Sequence, residues 1–526
     1  MFTWLDPFLA KGANKTLEQA DVPEYPEHDD AQACYERFEA EWRKIPQATL
    51  DAAARQEENK RSLGPITKAT IRFIGCKKFG WATFLYLINT ALSFAPPILL
   101  TLFLEGLEGT HPRTKVELWL ITAAILVVPM LASVVYQIQD AVMGRAGTHV
   151  RNAMSTKIYR KSLRLSSRAK LKTSTGAIVN VMSTDAEQPT RFFMFANFIW
   201  GAPIRIGICL WLIHRQVGDA MWAGFGFLFC LFPLQTIVFK LISTIRKQML
   251  AAADKRIKLT NEVLTGIRII KFYNWEAPFK QKINAIRQTE LNLLYKYAWI
   301  VAIGFSLVLM SAPLILPLIV FSLASKLGVT ITAAKAFTTL TLFAIIRFPF
   351  AFLPMVIIQW VQTAVSFKRI YNFLLLDELN MDDPVEAPAD SDNAIEIKNA
   401  TVKWDESVET PALSDISLDV KQGELLAIVG AVGSGKSSLL ATILNELEFE
   451  NGTLRRQGSL AYAAQQPWVM NKSLKNNIVF GEAFNEDIYE DTLRVCALVD
   501  DLNAIKGGDS AEIGERGINL SGGQKA

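Results

Sequence analysis

Cysteine is scarce and scattered in this chain. Cys34, Cys76, Cys209, Cys230 and Cys496 are its five, and they form no CxxC pair and no Cys/His spacing. That speaks against a structural zinc motif and against a disulfide framework, leaving reduced, structural thiols. An excess of one charge is also missing: 55 Lys and Arg stand against 51 Asp and Glu, a net +4 that gives no case for a nucleic-acid partner. The opening MFTWLDPFLAKG has neither a basic head nor an apolar core, and residues 11 to 70 are polar, so no cleavable signal peptide is read. What abounds is hydrophobic side chain, 50% of 526 residues. That share, with a positive mean hydropathy, is high for a soluble protein and directs attention to membrane spans.

A helix crossing ~30 Å of hydrocarbon needs about 20 mostly apolar residues. Six segments qualify, near 79 to 104, 116 to 139, 192 to 213, 217 to 242, 298 to 325 and 331 to 360. Prolines recur within them, at Pro96, Pro97, Pro129, Pro203, Pro233, Pro313, Pro317, Pro349 and Pro354, and such kinks are tolerated where neighbouring helices satisfy the freed carbonyls. The short connections carry few charges, whereas 140 to 190 and 243 to 297 are rich in Lys and Arg. Positive-inside logic places both long stretches, the N-terminus and everything after residue 361 in the cytoplasm, within an integral, multi-pass membrane chain. Apolar residues at helical spacing in both stretches predict membrane helices that continue well past the bilayer. Tyr273, Trp275 and Glu276 lie where a Pro and two aromatics interrupt the second pattern, as a tip that can touch a soluble domain or as a plain surface turn.

Four regions follow: an N-terminal docking segment over 1–75, with Trp4, Pro7, Phe8, Tyr35, Phe38 and Trp42; a transmembrane domain over 76–376; an acidic linker over 377–393; and a nucleotide-binding domain over 394–526. In the last, the apolar run Leu425 to Val429 reads as a buried strand, followed by Gly430-Ala-Val-Gly433-Ser434-Gly435-Lys436-Ser437-Ser438. This satisfies GxxxxGK[ST] between a strand and an apolar helix. Its glycines let backbone N–H groups curl around phosphates, Lys436 reaches the β and γ phosphates of ATP, and Ser437 ligates Mg2+. Leu520-Ser521-Gly522-Gly523-Gln524 is the second strong motif.

With LSGGQ, the sequence resembles the ABC exporters, and within them subfamily C, the multidrug-resistance-associated group. The resemblance is carried by WLDPFLAKG, IYRKSLRLSS, TGAIVNVMSTDAEQ, DKRIKLTNEVLTGIRIIKFYNWEAPF, IIRFPFAFLPMVI, NATVKW, AYAAQQPWVMNKSLKNNIVFG and AEIGERGINLSGGQ. It implies a membrane all-α six-helix transmembrane domain followed by an α/β P-loop NTPase domain. By that resemblance Trp404 stacks on adenine, the alternative being a strand-edge Trp. Gln465 is the glutamine that contacts Mg2+, with Gln466 the other register. Ser521 and Gly523, flanked by Gly522 and Gln524, face the nucleotide held by a partner domain, so a second transporter half is implied. The 273–279 tip corresponds to a coupling helix.

Charges at membrane depth are costly, which marks Arg205, Lys240 and Arg347. Lys240 lies near a span end and snorkels. Arg205 fits a buried pair or the cavity equally, and Arg347 matches a basic position that the family uses against anionic substrates. Organic anions or conjugates are the implied cargo, with Trp200, Phe348 and Phe352 as apolar wall and membrane lipid around. The sequons at Asn14, Asn399, Asn451, Asn471 and Asn519 all fall in expected cytoplasmic regions, so none is expected to be glycosylated. The Mg2+-binding aspartate, catalytic carboxylate and switch His that the family places after its signature are not found before Ala526. The expectation is therefore a partial chain, inactive by itself, with a sheet short of a central strand. An ATP-hydrolysing efflux translocase is the leading function; an ATP-gated anion channel and a nucleotide-sensing regulatory subunit are the others.

Overall fold

The computed structural model describes residues 6–18, 21, 26–55, 62–109, 111–379, 385–386, 392–404, 410–447, 449–465, 467–514 and 520–525. Trp4, Gln466, Asn519 and most of the acidic linker lie outside these. The chain divides into two units, Met1–Asn380 and Met381–Ala526.

Among the described residues the first unit is helical, with one isolated bridge between Leu165 and Glu378. Four short helices come first: α1 (Asp6–Asn14), α2 (Ala31–Trp42), α3 (Gln47–Arg55) and α4 (Gly64–Ile74). Then run α5 (Cys76–Glu108), α6 (Lys115–Leu163), α7 (Ser167–Lys172) and α8 (Thr175–Asn180), a single π turn over 181–185, α9 (Ala186–Val217), α10 (Met221–Thr265), α11 (Ile267–Phe272), α12 (Glu276–Lys326) and α13 (Ala333–Leu374). The six long helices hold the six apolar segments read from the sequence, except that the fourth starts at residue 221 rather than 217 and the sixth at 333 rather than 331. Their starts are local decisions. Thr114 and Glu117 form a reciprocal capping box at the head of α6, Thr332 caps α13, and Gly218, at φ 59, lets α9 turn back towards α10. Among the described residues, four helical stretches are long and apolar enough to cross a membrane: Cys76–Glu108, Lys115–Leu163, Thr175–Thr265 and Ala333–Leu374. The third contains both α9 and α10, and α12 adds a shorter apolar stretch, Leu314–Lys326. At ~1.5 Å per residue, the 49 residues of α6 extend more than twice the ~30 Å of a bilayer core, so much of it projects beyond.

One apolar cluster joins the N-terminal helices to the far part of α6 and to the end of α13. Cys34, Phe38 and Trp42 from α2 are buried with Met154 and Ile158 from α6 and Tyr371 and Leu374 from α13. Phe38 meets Phe73 edge-on at 5.6 Å, and Trp42 meets Tyr371 at 6.2 Å. Each such large side chain contributes about 1.5–3 kcal/mol when fully buried. Polar contacts fix the register. Arg145 donates to Asp29 at 3.0 and 3.1 Å, buried His149 meets the same carboxylate, and Asn152 donates to the Asp29 carbonyl at 3.3 Å.

The second unit holds β1 (Val385–Glu386), β2 (Asn393–Val402), β3 (Leu413–Lys421), α14 (Lys436–Ile443), β4 (Phe449–Arg456), α15 (Leu474–Val479), α16 (Glu486–Val495), α17 (Val499–Ala504) and α18 (Gly522–Lys525). The sheet order is β1-β4-β2-β3. β2 pairs antiparallel with both β3 and β4, and only β1 and β4 are parallel. Ile397, Ala400 and Leu454 from the sheet pack with Ile443 from α14.

Here one expectation fails. Leu425 to Val429 forms no strand, and Leu425 and Val429 are 96% and 90% exposed. The physical reason is non-local: a strand exists by hydrogen-bonding to a neighbour, and no described strand runs beside this run. The sheet is accordingly mainly antiparallel rather than parallel.

Candidate functional site

The loop before α14 is built on glycine. Gly433 and Gly435 have φ of 84 and 93, where a side chain is strained. A Cβ at Gly430 would stand 2.6 Å from Ser434 Oγ. The helix therefore opens at Lys436 after a tight, side-chain-poor turn whose N–H groups are unspent by intrahelical bonding. Lys436 Nζ lies over this turn, donating to the carbonyls of Gly430 at 2.8 Å and Ala431 at 2.7 Å. Ser437 is exposed, and Ser438, one residue on, is buried.

Trp404 comes from the end of β2, and its indole Nε1 donates to Ser438 Oγ at 3.0 Å. Residues 404 and 430 to 438 are thus one neighbourhood, with a half-exposed aromatic ring beside a phosphate-binding type of loop. Gln465 is exposed, and no hydrogen bond ties it to that loop.

The signature segment has its own logic. Ser521 Oγ accepts from Gln524 N at 3.2 Å while Gln524 Oε1 accepts from Ser521 N at 2.9 Å, a capping box that opens the four-residue α18 with Gly522 and Gly523 in its first turn. Gln524 Nε2 donates to Asp501 Oδ1 at 2.7 Å, so α17 anchors the signature, a role for Asp501 that no sequence pattern announced. Among the described residues no hydrogen bond joins Ser521 or Gly523 to the Lys436 loop.

In the helical unit Arg205 is already engaged. It donates from Nε to Thr90 Oγ1 at 3.1 Å and from Nη2 to Asn89 Oδ1 at 2.6 Å, and lies over the Tyr86 ring at 4.9 Å. Trp200 meets the same Tyr86 edge-on at 5.2 Å. Of the alternatives left by the sequence, the local geometry is that of a buried polar clamp between α5 and α9, though with neutral partners rather than an ion pair. Arg347 is different: its buried Nε has no hydrogen-bond partner, and its guanidinium lies over Phe348, which stacks on Phe352 at 5.9 Å. No hydrogen bond or ring contact among the described residues joins the Arg205 and Arg347 groups.

The tip between α11 and α12 is a three-residue turn. Asn274 takes φ 56, a left-handed conformation that Asn tolerates. Tyr273 and Trp275 stack at 5.0 Å, and Lys271 pairs with Glu276 at 2.8 Å. Phe272, at 87% exposure, adds an apolar side chain to this tip.

Residues 79–350 match the family model of the ABC transporter transmembrane region, and 413–526 match that of the ABC transporter nucleotide domain, described simply as ABC transporter. The chain belongs to the ABC transporters. Its curated relatives include subfamily C members. ABC transporter C family member 8 of Dictyostelium discoideum is 34% identical over 526 residues, 100% of this chain and 32% of the relative. ATP-binding cassette sub-family C member 4 of Homo sapiens is 34% identical over 534 residues, 100% of this chain and 39% of the relative. Sub-family C member 2 of Mus musculus is 38% identical over 382 residues, 72% of this chain and 24% of the relative. This ABC transporter chain thus spans about a third of the length of relatives that match all of it.

Proposed function

We propose that this chain is the ATP-binding, membrane-spanning half of an ATP-driven efflux transporter for organic anions. The observation that carries the reading is the bond from Trp404 to Ser438, which holds a flat aromatic face beside the glycine turn and Lys436. An adenine ring and a triphosphate need just those two surfaces side by side. Ser437 hydroxyl and the Gln465 amide oxygen are hard oxygen donors, the type that Mg2+ prefers, and would hold it against the phosphates. The bound metal supplies charge neutralisation of the transferring phosphoryl group. Ser521 and Gly523 serve a second nucleotide, on a partner half, and the Tyr273–Glu276 turn transmits motion between domains.

Positive-inside logic sets the N-terminus and the nucleotide domain in the cytoplasm. Arg347, with an unpaired Nε and aromatic neighbours, is the residue that meets an anionic cargo.

Inside-out vesicles from cells making the protein that carries this chain test the reading. Uphill uptake of a glutathione or glucuronide conjugate is expected with Mg-ATP, and Lys436→Ala is expected to weaken nucleotide binding at this site. A steady downhill anion current in place of uphill uptake would make the protein a channel and overturn the proposal.

A further inference from the structure

The projecting part of α6 carries a basic stripe that ATP binding and transport leave without a task. Lys157, Arg160 and Lys161 share one face of the helix at i, i+3 and i+4 spacing, and Arg164 is the residue that caps its end. Like charges at that spacing repel, and half of the stripe is withdrawn from water: the side chains of Lys157 and Lys161 are 12% and 10% exposed, while Arg160 and Arg164 are exposed at the rim. Together with α2 and the segment following α13, the four bases line a cavity of about 120 Å³. That segment is held in place by backbone bonds, Ser166 N to Asp377 O at 3.1 Å and Leu379 N to Arg164 O at 2.8 Å.

Two carboxylates enter the cavity. Glu39 pairs with Lys157, and Glu378 pairs with Lys161 at 2.9 Å. Neither arginine has such a partner. Arg160 donates to the neutral amide of Gln32 at 2.8 Å, and the Arg164 guanidinium makes no hydrogen bond or ion pair with a described residue. Four bases against two acids leave a net charge of +2 around a space of roughly four waters, at ~30 Å³ each. The two aromatic residues of the lining are spoken for: Lys157 Nζ sits over the Trp42 ring at 4.7 Å and the Arg160 guanidinium over Tyr35 at 4.4 Å, which holds the cations in position. One positioned guanidinium fork, a second with its donors unspent on described residues, and lysines beside them suit a phosphoryl dianion, whose oxygens accept several charge-assisted bonds at once.

We propose that this cavity binds a phosphoryl group of a soluble phosphorylated compound, and that the bound group fastens α2 to the projecting end of α6 and to the segment after α13. Distance favours a soluble source over a lipid headgroup. Lys157 lies roughly 27 Å farther along the helix than residue 139, where the apolar run ends, at ~1.5 Å per residue. This choice of source rests on the proposed membrane placement; the charge argument does not.

The test is calorimetric titration of the purified protein with inositol hexakisphosphate, in a Lys436→Ala background that weakens the P-loop as a competing site. Saturable binding is expected, weakened at least tenfold by Arg160→Gln with Arg164→Ala. Arg164→Ala alone, which removes no contact to a described residue, is expected to weaken binding at least threefold and keeps the test open if the pair fails to fold. Absence of binding, equal binding in the arginine variants, or binding to vesicles containing phosphatidylinositol bisphosphate without binding of the soluble probe would each overturn the proposal. Probe binding retained while vesicle uptake fails would strike the transport reading alone.

Discussion

Trp404 Nε1 donates to Ser438 Oγ at 3.0 Å, linking the end of a strand to the first turn of the helix that begins at Lys436. The bond sets the indole's position from the first turn of the helix that the phosphate loop opens. Two contributions can be separated by substitution. Trp404→Phe keeps a ring but forfeits the bond, worth about 1 kcal/mol, whereas Trp404→Ala also forfeits base stacking, worth ~1–3 kcal/mol. Titration with a fluorescent ATP analogue should rank wild type over Phe over Ala, with roughly 30- to 700-fold between the ends of the series, the two losses adding to about 2–4 kcal/mol. Unchanged affinity in Trp404→Ala would show a strand-edge Trp with no part in binding.

The N-terminal segment should release in acid. The Arg145 guanidinium holds the Asp29 carboxyl well below the usual carboxylate range, against the opposing effect of burial, and His149 adds to the same side. A carboxyl with a depressed folded-state pKa contributes stability that is fully present above its unfolded value, ~3.9, and is lost as pH falls below that towards the folded value. Hydrogen exchange across residues 31–42 should therefore accelerate as pH drops below about 4, after correction for intrinsic rates. Asp29→Asn should loosen the segment by about 1–2 kcal/mol at neutral pH and flatten the acid transition. An acid transition of the same size in the variant would place its origin elsewhere.

Gly201 on α9 sits where Tyr86 of α5 crosses it. A Cβ at this position would fall 2.1 Å from the ring edge and 2.2 Å from the hydroxyl oxygen. Overpacking of this kind costs ~1–3 kcal/mol, and here it would also press on the ring that lies under Arg205 and against Trp200. Gly201→Ala should lower the detergent-solubilised unfolding temperature, and Tyr86→Leu in the same chain should recover part of the loss. Full wild-type stability in Gly201→Ala would mean that the two helices separate freely.

What could be read from the chain beforehand was what is decided locally. Twenty-residue apolar runs became helices, and the glycine-rich GxxxxGK[ST] segment became a tight turn opening a helix, because each depends on neighbours within a few positions. The run Leu425 to Val429 carries all the local marks of a strand and is not one, since strand formation depends on a partner elsewhere. Asp29 and His149 lie 120 positions apart, and Gln524 and Asp501 meet through side chains that no spacing rule links. The basic stripe of α6 was visible as charge and pointed to the cytoplasmic side; that Lys157 and Arg160 lie over the rings of Trp42 and Tyr35 depends on the packing of α2.

The two membrane arginines make opposite predictions. Arg205 spends its donors on Asn89 and Thr90, so removing it leaves polar groups between α5 and α9 without a partner. A buried group left unsatisfied costs ~1–3 kcal/mol, and Arg205→Met should appear as a fall in thermal stability with the apparent affinity for an organic anion little changed. Arg347 keeps its Nε free of any hydrogen bond, with only a ring contact to Phe348, so its loss sacrifices little of the fold. Hydrogen bonds to charged groups are worth ~1.5–3 kcal/mol, hence Arg347→Ala should raise the apparent KM for an anionic cargo by roughly 10- to 150-fold with an unchanged melt. Uptake measured against substrate concentration, beside a thermal scan of each variant, distinguishes the two. A stability loss in Arg347→Ala with unaltered KM would move Arg347 to the structural side and leave the anion to be recognised elsewhere.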